Sequence, residues 1–237
     1  MKNFAVMTFA FLALMFAGLA EAASPKRPPR PNQSRIGPYA TGNVGMTSYT
    51  SDEARNEALL ESFMTLGNPS QDLQSSTDDT NIGYNASFGY RFHRFFAFEL
   101  GLVQYGDLVT SASGNVDYPD LPGGFIPATS ELKFWLNGIL ISAVGVLPIK
   151  DKIELFGRVG YMFSTHRQEF ASKADGETIV TGSFREDEQD LVYGVGLGWN
   201  LSQGYSIRAE YQIIQGLGAG AGAEDLDSLS LGLQIRF

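Results

Sequence analysis

Arginines and glutamates at alternating positions are the residues of this chain with the clearest chemistry. They fall in segments where apolar and polar residues alternate, and they occupy the small or polar row of each segment. Side chains of one parity project from the same face of a strand, so the sequence predicts that all of them point to one interior. The set consists of Arg91, Glu99, Glu154, Arg158, Arg208, Glu210 and Arg236.

Arginines and glutamates that share one interior can neutralise each other's charge by forming ion pairs. An unpaired charge in a narrow interior is costly, so the four arginines and three glutamates are expected to form one network, with Glu99 and Arg158 as the central pair. The network could fill the interior, or it could rearrange as the gate of a narrow pore. Acid–base catalysis by Glu99 and Glu210 is disfavoured, because the neighbouring arginines keep both carboxylates ionised.

A serine and a histidine offer a second kind of chemistry. Ser164 and His166 share parity at the end of one alternating segment, and such a pair can act as nucleophile and base. The sequence supplies no identifiable third group that would orient the histidine. The other histidine, His93, falls in a predicted tight turn and is expected to be a polar turn residue.

Cofactor, metal and nucleic-acid sites are not expected. The sequence contains no phosphate-binding loop, no zinc-ligand spacing, no nucleotide fingerprint and no cysteine. Its formal net charge of −9 argues against nucleic acid as a partner. We therefore predict no catalytic residue, no metal and no cofactor, and we expect that the protein is not an enzyme.

Eight alternating segments are the elements that must position these side chains. Each is close to the length of about 9–11 residues that a tilted strand needs to cross a bilayer. The connections alternate between long and short, which places both termini of the chain on the side of the short turns, an arrangement typical of transmembrane barrels. The segments are 38–49, 81–92, 95–107, 131–147, 152–165, 188–201, 205–215 and 226–237.

The contrast between the two rows of a segment predicts which row faces lipid. In the sixth segment one row is bulky and apolar from Leu191 to Trp199, whereas the other contains Gly194, Gly196 and Gly198. A row of glycines suits a crowded interior, and the aromatic rows are too bulky to fill one. The sequence therefore predicts an all-β fold: an eight-stranded, antiparallel, up-and-down transmembrane β-barrel with an aromatic girdle near the turn side.

The N-terminal part predicts two segments that precede the barrel. Residues 1–22 have the features of a signal peptide: Lys2, an uncharged apolar run, and the small-x-small sequence at 20–22. Residues 23–36 are rich in proline and basic residues, which predicts an extended periplasmic linker. Residues 37–237 then form the barrel domain.

The first long connection carries a helix signal. Thr50 and Glu53 have the spacing of a capping box, apolar residues follow at helical spacing from Leu59 to Leu66, and Gly67 can end the helix. We expect a short amphipathic helix over the barrel mouth. The four long connections are expected to be loops that could contact a host or surface ligand.

Several short motifs, in their order and spacing, carry a family resemblance. They are Gly-Tyr-Asn-Ala-Ser-Phe-Gly-Tyr-Arg-Phe at 83–92, Phe-Glu-Leu-Gly at 98–101, Leu-Phe-Gly-Arg-Val-Gly-Tyr at 155–161, Arg-Ala-Glu-Tyr at 208–211 and the terminal Phe237. Through them the region 37–237 resembles the small, eight-stranded OmpA/OmpX-type outer-membrane barrels. The resemblance implies a place in the bacterial outer membrane, with lipids and lipopolysaccharide as partners. It also implies that the barrel-assembly machinery recognises the last strand through Phe237.

The resemblance covers the barrel alone. Larger members of the family carry a peptidoglycan-binding domain after the barrel, and the sequence lacks one, so we do not expect cell-wall anchoring through such a domain. The implied function is to stabilise the envelope and to display loops for surface interaction, adhesion included. Two alternatives stay open: a narrow pore gated by the Arg/Glu network, and a lipid-modifying outer-membrane enzyme that uses Ser164 and His166.

Overall fold

The structure is a computed structural model, and it describes residues 36–51, 53–78, 80–119, 124–150, 152–216 and 223–237. The predicted signal peptide and residues 23–35 of the predicted linker lie outside these ranges. The side chain of Glu53 in the predicted capping box is outside the description too. Within the described ranges, no helix has both the length and the apolar character needed to cross a membrane.

The described chain is built mainly of long strands. Valine, isoleucine, threonine and aromatic residues recur along them, and these residue types suit a pleated backbone. The elements are β1 (Gly37–Ser51), α1 (Glu53–Thr65), β2 (Ser70–Asp78), β3 (Thr80–His93), β4 (Phe96–Asp117), β5 (Phe125–Lys150), β6 (Ile153–Ala174), β7 (Glu177–Asn200), β8 (Tyr205–Gln215) and β9 (Ala223–Arg236).

Eight strands form a closed antiparallel ring. Its order is β4, β3, β1, β9, β8, β7, β6, β5, and pairing between β5 and β4 closes it. The predicted eight-stranded up-and-down barrel is thus confirmed. The connections β3–β4, β5–β6 and β7–β8 lie at one end together with the start of β1 and the end of β9; we call this the turn end and the opposite one the mouth end. Closure matters because it leaves no strand edge in the ring unpaired.

The two faces of the barrel wall differ as the alternation predicts. On β7, Val195 and Trp199 point outward with 60% and 57% of their surface exposed, while Gly196 lies on the inner row. A Cβ atom on Gly196 would lie 2.3 Å from Cζ of Phe156. The inner row is therefore crowded, which is why glycine fits there and bulky apolar residues face outward.

The prediction of long loops at 108–130 and 166–187 is wrong, because the sheet continues through both segments. Strand β4 runs to Asp117 and β5 begins at Phe125, and β6 and β7 are joined by the tight turn Asp175-Gly176. Beyond the apolar band the outer row becomes polar, so the contrast between rows disappears although the backbone stays extended. Strand β2 adds to this region by pairing with β4. We call residues 70–78, 108–117, 125–136, 165–174 and 177–189 the mouth extension.

The predicted helix is present and packs against the mouth extension. α1 spans Glu53–Thr65, and Gly67 follows it at φ +81°. Leu60 and Met64 are fully buried against inner residues of β4, β5 and β6, and Phe63 stacks on Phe170 of β6 with 4.5 Å between ring centroids. The helix therefore packs against the inner face of the mouth extension.

Candidate functional site

The first group of charged side chains lies at the turn end of the lumen. Arg91 Nη1 donates to Glu154 Oε1 at 3.1 Å, and Arg236 Nη2 lies 3.7 Å from Glu154 Oε2. Arg236 also donates to Asn200 Oδ1 at 2.8 Å, and Ser206 donates to the same oxygen at 2.8 Å. This group closes the lower lumen with one acid between two arginines.

The second group lies deeper and is fully enclosed. Glu99 accepts hydrogen bonds from Arg158 Nη2 at 2.5 Å, Arg208 Nη1 at 2.8 Å and the Tyr39 hydroxyl at 2.7 Å. Arg158 also reaches Glu210, with its Nε 2.8 Å from Oε1. Two acids thus alternate with two arginines, so the charges balance among side chains that are almost completely buried. The sequence-derived pair Glu99 and Arg158 is in direct contact here.

Glycines on neighbouring strands make room for this second group. In the register of the sheet, Glu99 stands opposite Gly89, Arg158 opposite Gly194, and Glu210 opposite Gly196. A Cβ on Gly89 would lie 2.3 Å from Cζ of Tyr39, the residue whose hydroxyl binds Glu99. Large charged side chains are thus paired with glycines, which have no side chain, on the neighbouring strands. This pairing allows a narrow barrel to hold several long side chains.

Apolar side chains fill the lumen on both sides of the second group. Towards the turn end, Tyr39, Phe156 and Val144 pack together, and the guanidinium of Arg208 stacks on the Phe156 ring at 3.9 Å. The cavity that remains there has a volume of about 20 Å³, room for about one water. Towards the mouth end lies a buried apolar layer formed by Tyr49, Val103, Tyr105, Leu108, Phe134, Leu136, Leu140, Met162, Val192, Ile214 and Leu226.

Some residues of this site escaped the sequence analysis. Tyr39 and Asn200 each bind one of the charged groups, but neither was singled out. The available signal was the row of odd positions in the first segment, which starts with Tyr39, continues with Thr41 and Asn43, and contains only polar residues, tyrosine and glycine. Phe237 lies at the turn end with its side chain half exposed, and its N–H donates to the Pro38 carbonyl at 3.2 Å. Its role in assembly stays a prediction, which deletion of Phe237 tests through the amount of folded barrel in the membrane.

A third polar cluster lies towards the mouth end. Ser164 Oγ is 2.7 Å from His166 Nε2 and donates to Asp190 Oδ2 at 2.5 Å, and His166 Nδ1 lies 3.8 Å from Glu188 Oε2. The sequence indicated Ser164 and His166, but it did not reveal the two acids, which belong to β7.

The arrangement of this cluster differs from that of a catalytic serine. In a catalytic triad the acid binds the far nitrogen of the histidine and leaves the serine oxygen free to attack. Here Asp190 binds the serine itself, and Glu188 stays too far from His166 for a hydrogen bond. Ser164 and His166 are also buried and face the lumen rather than lipid, so a lipid substrate has no access.

Comparisons with known proteins agree with this architecture. The sequence model of a family described as OmpA-like transmembrane domain matches residues 38–237. The chain is 25% identical over 205 residues to outer membrane protein A of Klebsiella pneumoniae, a match that covers 84% of this chain and 50% of that protein. The chain therefore spans about half the length of this curated relative.

Solved structures similar to this chain include those of Ail and of neisserial surface protein A. Ail, the attachment invasion locus protein of Yersinia pestis, is 14% identical, with 85% of this chain and 99% of that chain covered and a TM-score of 0.44. Neisserial surface protein A is 12% identical, with 85% and 97% covered and a TM-score of 0.47.

Proposed function

This chain belongs to the family of OmpA-like transmembrane domains and resides in the bacterial outer membrane. From this premise we propose that the chain is a sealed barrel. The barrel holds a rigid platform outside the membrane for contact with surface ligands. The platform is the mouth extension together with α1. The barrel supplies the anchor, and its filled lumen supplies rigidity. Stabilisation of the envelope and adhesion are both roles that such an anchored platform can serve.

The height of the wall is the observation that carries this proposal. Strand β5 has 26 residues and β6 has 22, about twice the 9–11 residues that a strand needs to cross a bilayer. Continuous pairing between β5 and β6 reaches Ala128 and Ala174. The outer part is therefore a hydrogen-bonded sheet, and it can present a fixed surface where flexible loops could not.

The outer face of the mouth extension suits a polar ligand. Neighbouring strands carry the ion pairs Glu131–Lys133 at 2.7 Å and Arg167–Glu169 at 2.7 Å. A groove of about 370 Å³ crosses β2, β4, β5 and β6 beside them, and its lining is rich in serine and threonine. Hydroxyl groups together with charges of both signs can bind sugars and peptides by directional hydrogen bonds, in a volume within the range of ligand sites.

Removal of α1 and of the outer part of the mouth extension is expected to abolish adhesion and leave the anchor folded. The variant replaces residues 52–79 by a short glycine-serine linker, and residues 111–131 and 169–183 each by Asn-Gly, a turn that joins paired strands. Non-adherent bacteria that express the intact chain should bind to epithelial monolayers, and bacteria with equal surface amounts of the trimmed chain should not. Equal adhesion by both strains contradicts the proposal.

The same structure predicts a silent barrel in planar bilayers. The charge network and the apolar layer occupy successive levels of the lumen, so ions have no continuous polar path. We expect no discrete conductance steps from the purified chain, measured beside a known porin as the positive control. Steps that change in a Glu99→Gln variant would favour the gated pore instead.

A further inference from the structure

We propose that His166, Glu188 and Asp190 form a binding site for a divalent transition-metal cation of the zinc class, near the mouth end of the lumen. The three side chains come from β6 and β7, and one ligand atom from each lies within 4.8 Å of the other two. No sequence motif announces the site, because the histidine and the carboxylates belong to different strands. Antiparallel pairing brings them together.

The strand register explains how the three donors meet. Ser164 stands opposite Glu188, and Met162 stands opposite Asp190. His166 shares the inner row of β6 with Ser164, so its ring lies beside both acids on the facing strand. The Phe134 ring meets the imidazole edge-on, with 5.4 Å between centroids at 84°. This contact holds the imidazole in one orientation, as a preorganised ligand requires.

Charge balance is the first argument for a cation. Buried carboxylates need a compensating charge, and Glu99, Glu154 and Glu210 each have an arginine within 4.0 Å. Asp190 is only 1% exposed, yet in the described ranges its sole ion-pairing contact is His166 Nε2 at 3.6 Å. A cation bound beside His166 supplies the charge that Asp190 lacks, and Glu188 offers a second carboxylate ligand.

Unused ligand atoms are the second, independent argument. Asp190 Oδ1 and His166 Nδ1 are both buried, and neither has a hydrogen-bond partner among the residues described. Leaving such atoms unpaired costs free energy, and a metal ion recovers it by accepting their lone pairs. The side chain of Glu188 is 30% exposed, which gives a small ion an entry route from the mouth end.

The donor set favours zinc over calcium or magnesium. Zinc binds imidazole nitrogen and carboxylate oxygen together, whereas calcium and magnesium prefer oxygen ligands alone. A zinc ion binds one nitrogen of a histidine, and Nδ1 of His166 is the unpartnered one, 3.8 Å from Glu188 Oε2. Nε2 lies 2.7 Å from Ser164 Oγ and keeps that hydrogen bond. Ser164 is left as a hydrogen-bonding neighbour of the ligands.

Equilibrium dialysis against Zn²⁺ tests the proposal directly. Protein purified from outer membranes without a histidine tag is treated with EDTA, dialysed at near-neutral pH, and its metal content is measured. We expect about one Zn²⁺ per chain, and affinity lowered by at least about tenfold in His166→Ala and in Asp190→Asn, because each loses a direct ligand. Replacement of Zn²⁺ by Co²⁺ should give visible absorption bands that the His166→Ala variant lacks.

Matched variants separate the site from unspecific binding. His93→Ala removes the other histidine, and Asp187→Asn removes the acid next to Glu188 that faces outward; both should bind Zn²⁺ as the parent does. Ser164→Ala keeps all three donors and should retain the metal. Gel mobility of unheated samples reports whether each variant folds. If a variant at a buried position fails to fold, Glu188→Gln tests the site instead, because Glu188 is partly exposed.

Two results overturn the proposal. One is the absence of Zn²⁺ uptake by the unmodified chain. The other is uptake that both His166→Ala and Asp190→Asn leave unchanged.

Discussion

Replacing Glu99 by glutamine is expected to lower the free energy of unfolding of the barrel by about 3–5 kcal/mol, the usual cost of removing one partner from a buried ion pair. Glu99 accepts hydrogen bonds from Arg158, Arg208 and Tyr39 inside the lumen. Glutamine can still accept a hydrogen bond, but it leaves one positive charge uncompensated there. The surrounding apolar layers give that charge no route to water.

Urea unfolding of the refolded chain in detergent micelles measures this loss. The matched control is Glu131→Gln, which removes an acid from the exposed pair with Lys133 and should change stability by less than about 1 kcal/mol. If the two variants shift the unfolding midpoint equally, Glu99 does not hold the lumen together and the network is dispensable for the fold.

Replacing Leu231 by arginine is expected to cost about 2–4 kcal/mol, the penalty for a basic residue near the middle of the bilayer. Leu231 points outward on β9 with 60% of its surface exposed. It lies about 15 Å above the turn end, for a strand rise of about 3.3 Å and a tilt of about 40°, which is close to the midplane. Arginine there must draw water into the hydrocarbon layer.

Leu66→Arg provides the comparison for this penalty. Leu66 follows α1 outside the apolar band and is 54% exposed, so arginine there stays in water and should leave stability unchanged. Both variants are unfolded by urea in lipid vesicles. A cost at Leu231 no larger than that at Leu66 would mean that the outward row of β9 does not face lipid.

Periodicity was enough to predict which way the side chains point, but not which of them meet. The alternation placed Arg91, Glu99 and Arg158 on the inner row because that property depends only on local sequence. The pairing of Glu154 with two arginines, and of Glu99 with Arg208, depends on the stagger between strands far apart in the chain, which no single segment encodes. The carboxylates near His166 were missed for another reason: 166–187 is predicted as a loop, which hides the register between β6 and β7.

The missed length of the strands has a different cause. The prediction relied on contrast between an apolar and a polar row, and that contrast exists only where one row faces lipid. In 166–187 the outward row contains Arg167, Glu169 and Arg185, which are solvated, so the segment has the composition of a loop although it forms a sheet. Its β-branched and aromatic residues were the remaining signal.

The unequal height of the wall also determines the direction from which the mouth is reached. Strands β4 to β7 continue far beyond the points where β1 ends at Ser51, β8 ends at Gln215 and β9 begins at Ala223. The rim is therefore lopsided, with α1 sheltered behind its high side. The described part of the tall strands screens α1 on one side, so we expect a surface ligand to reach the helix from the other side, close to the plane of the membrane surface.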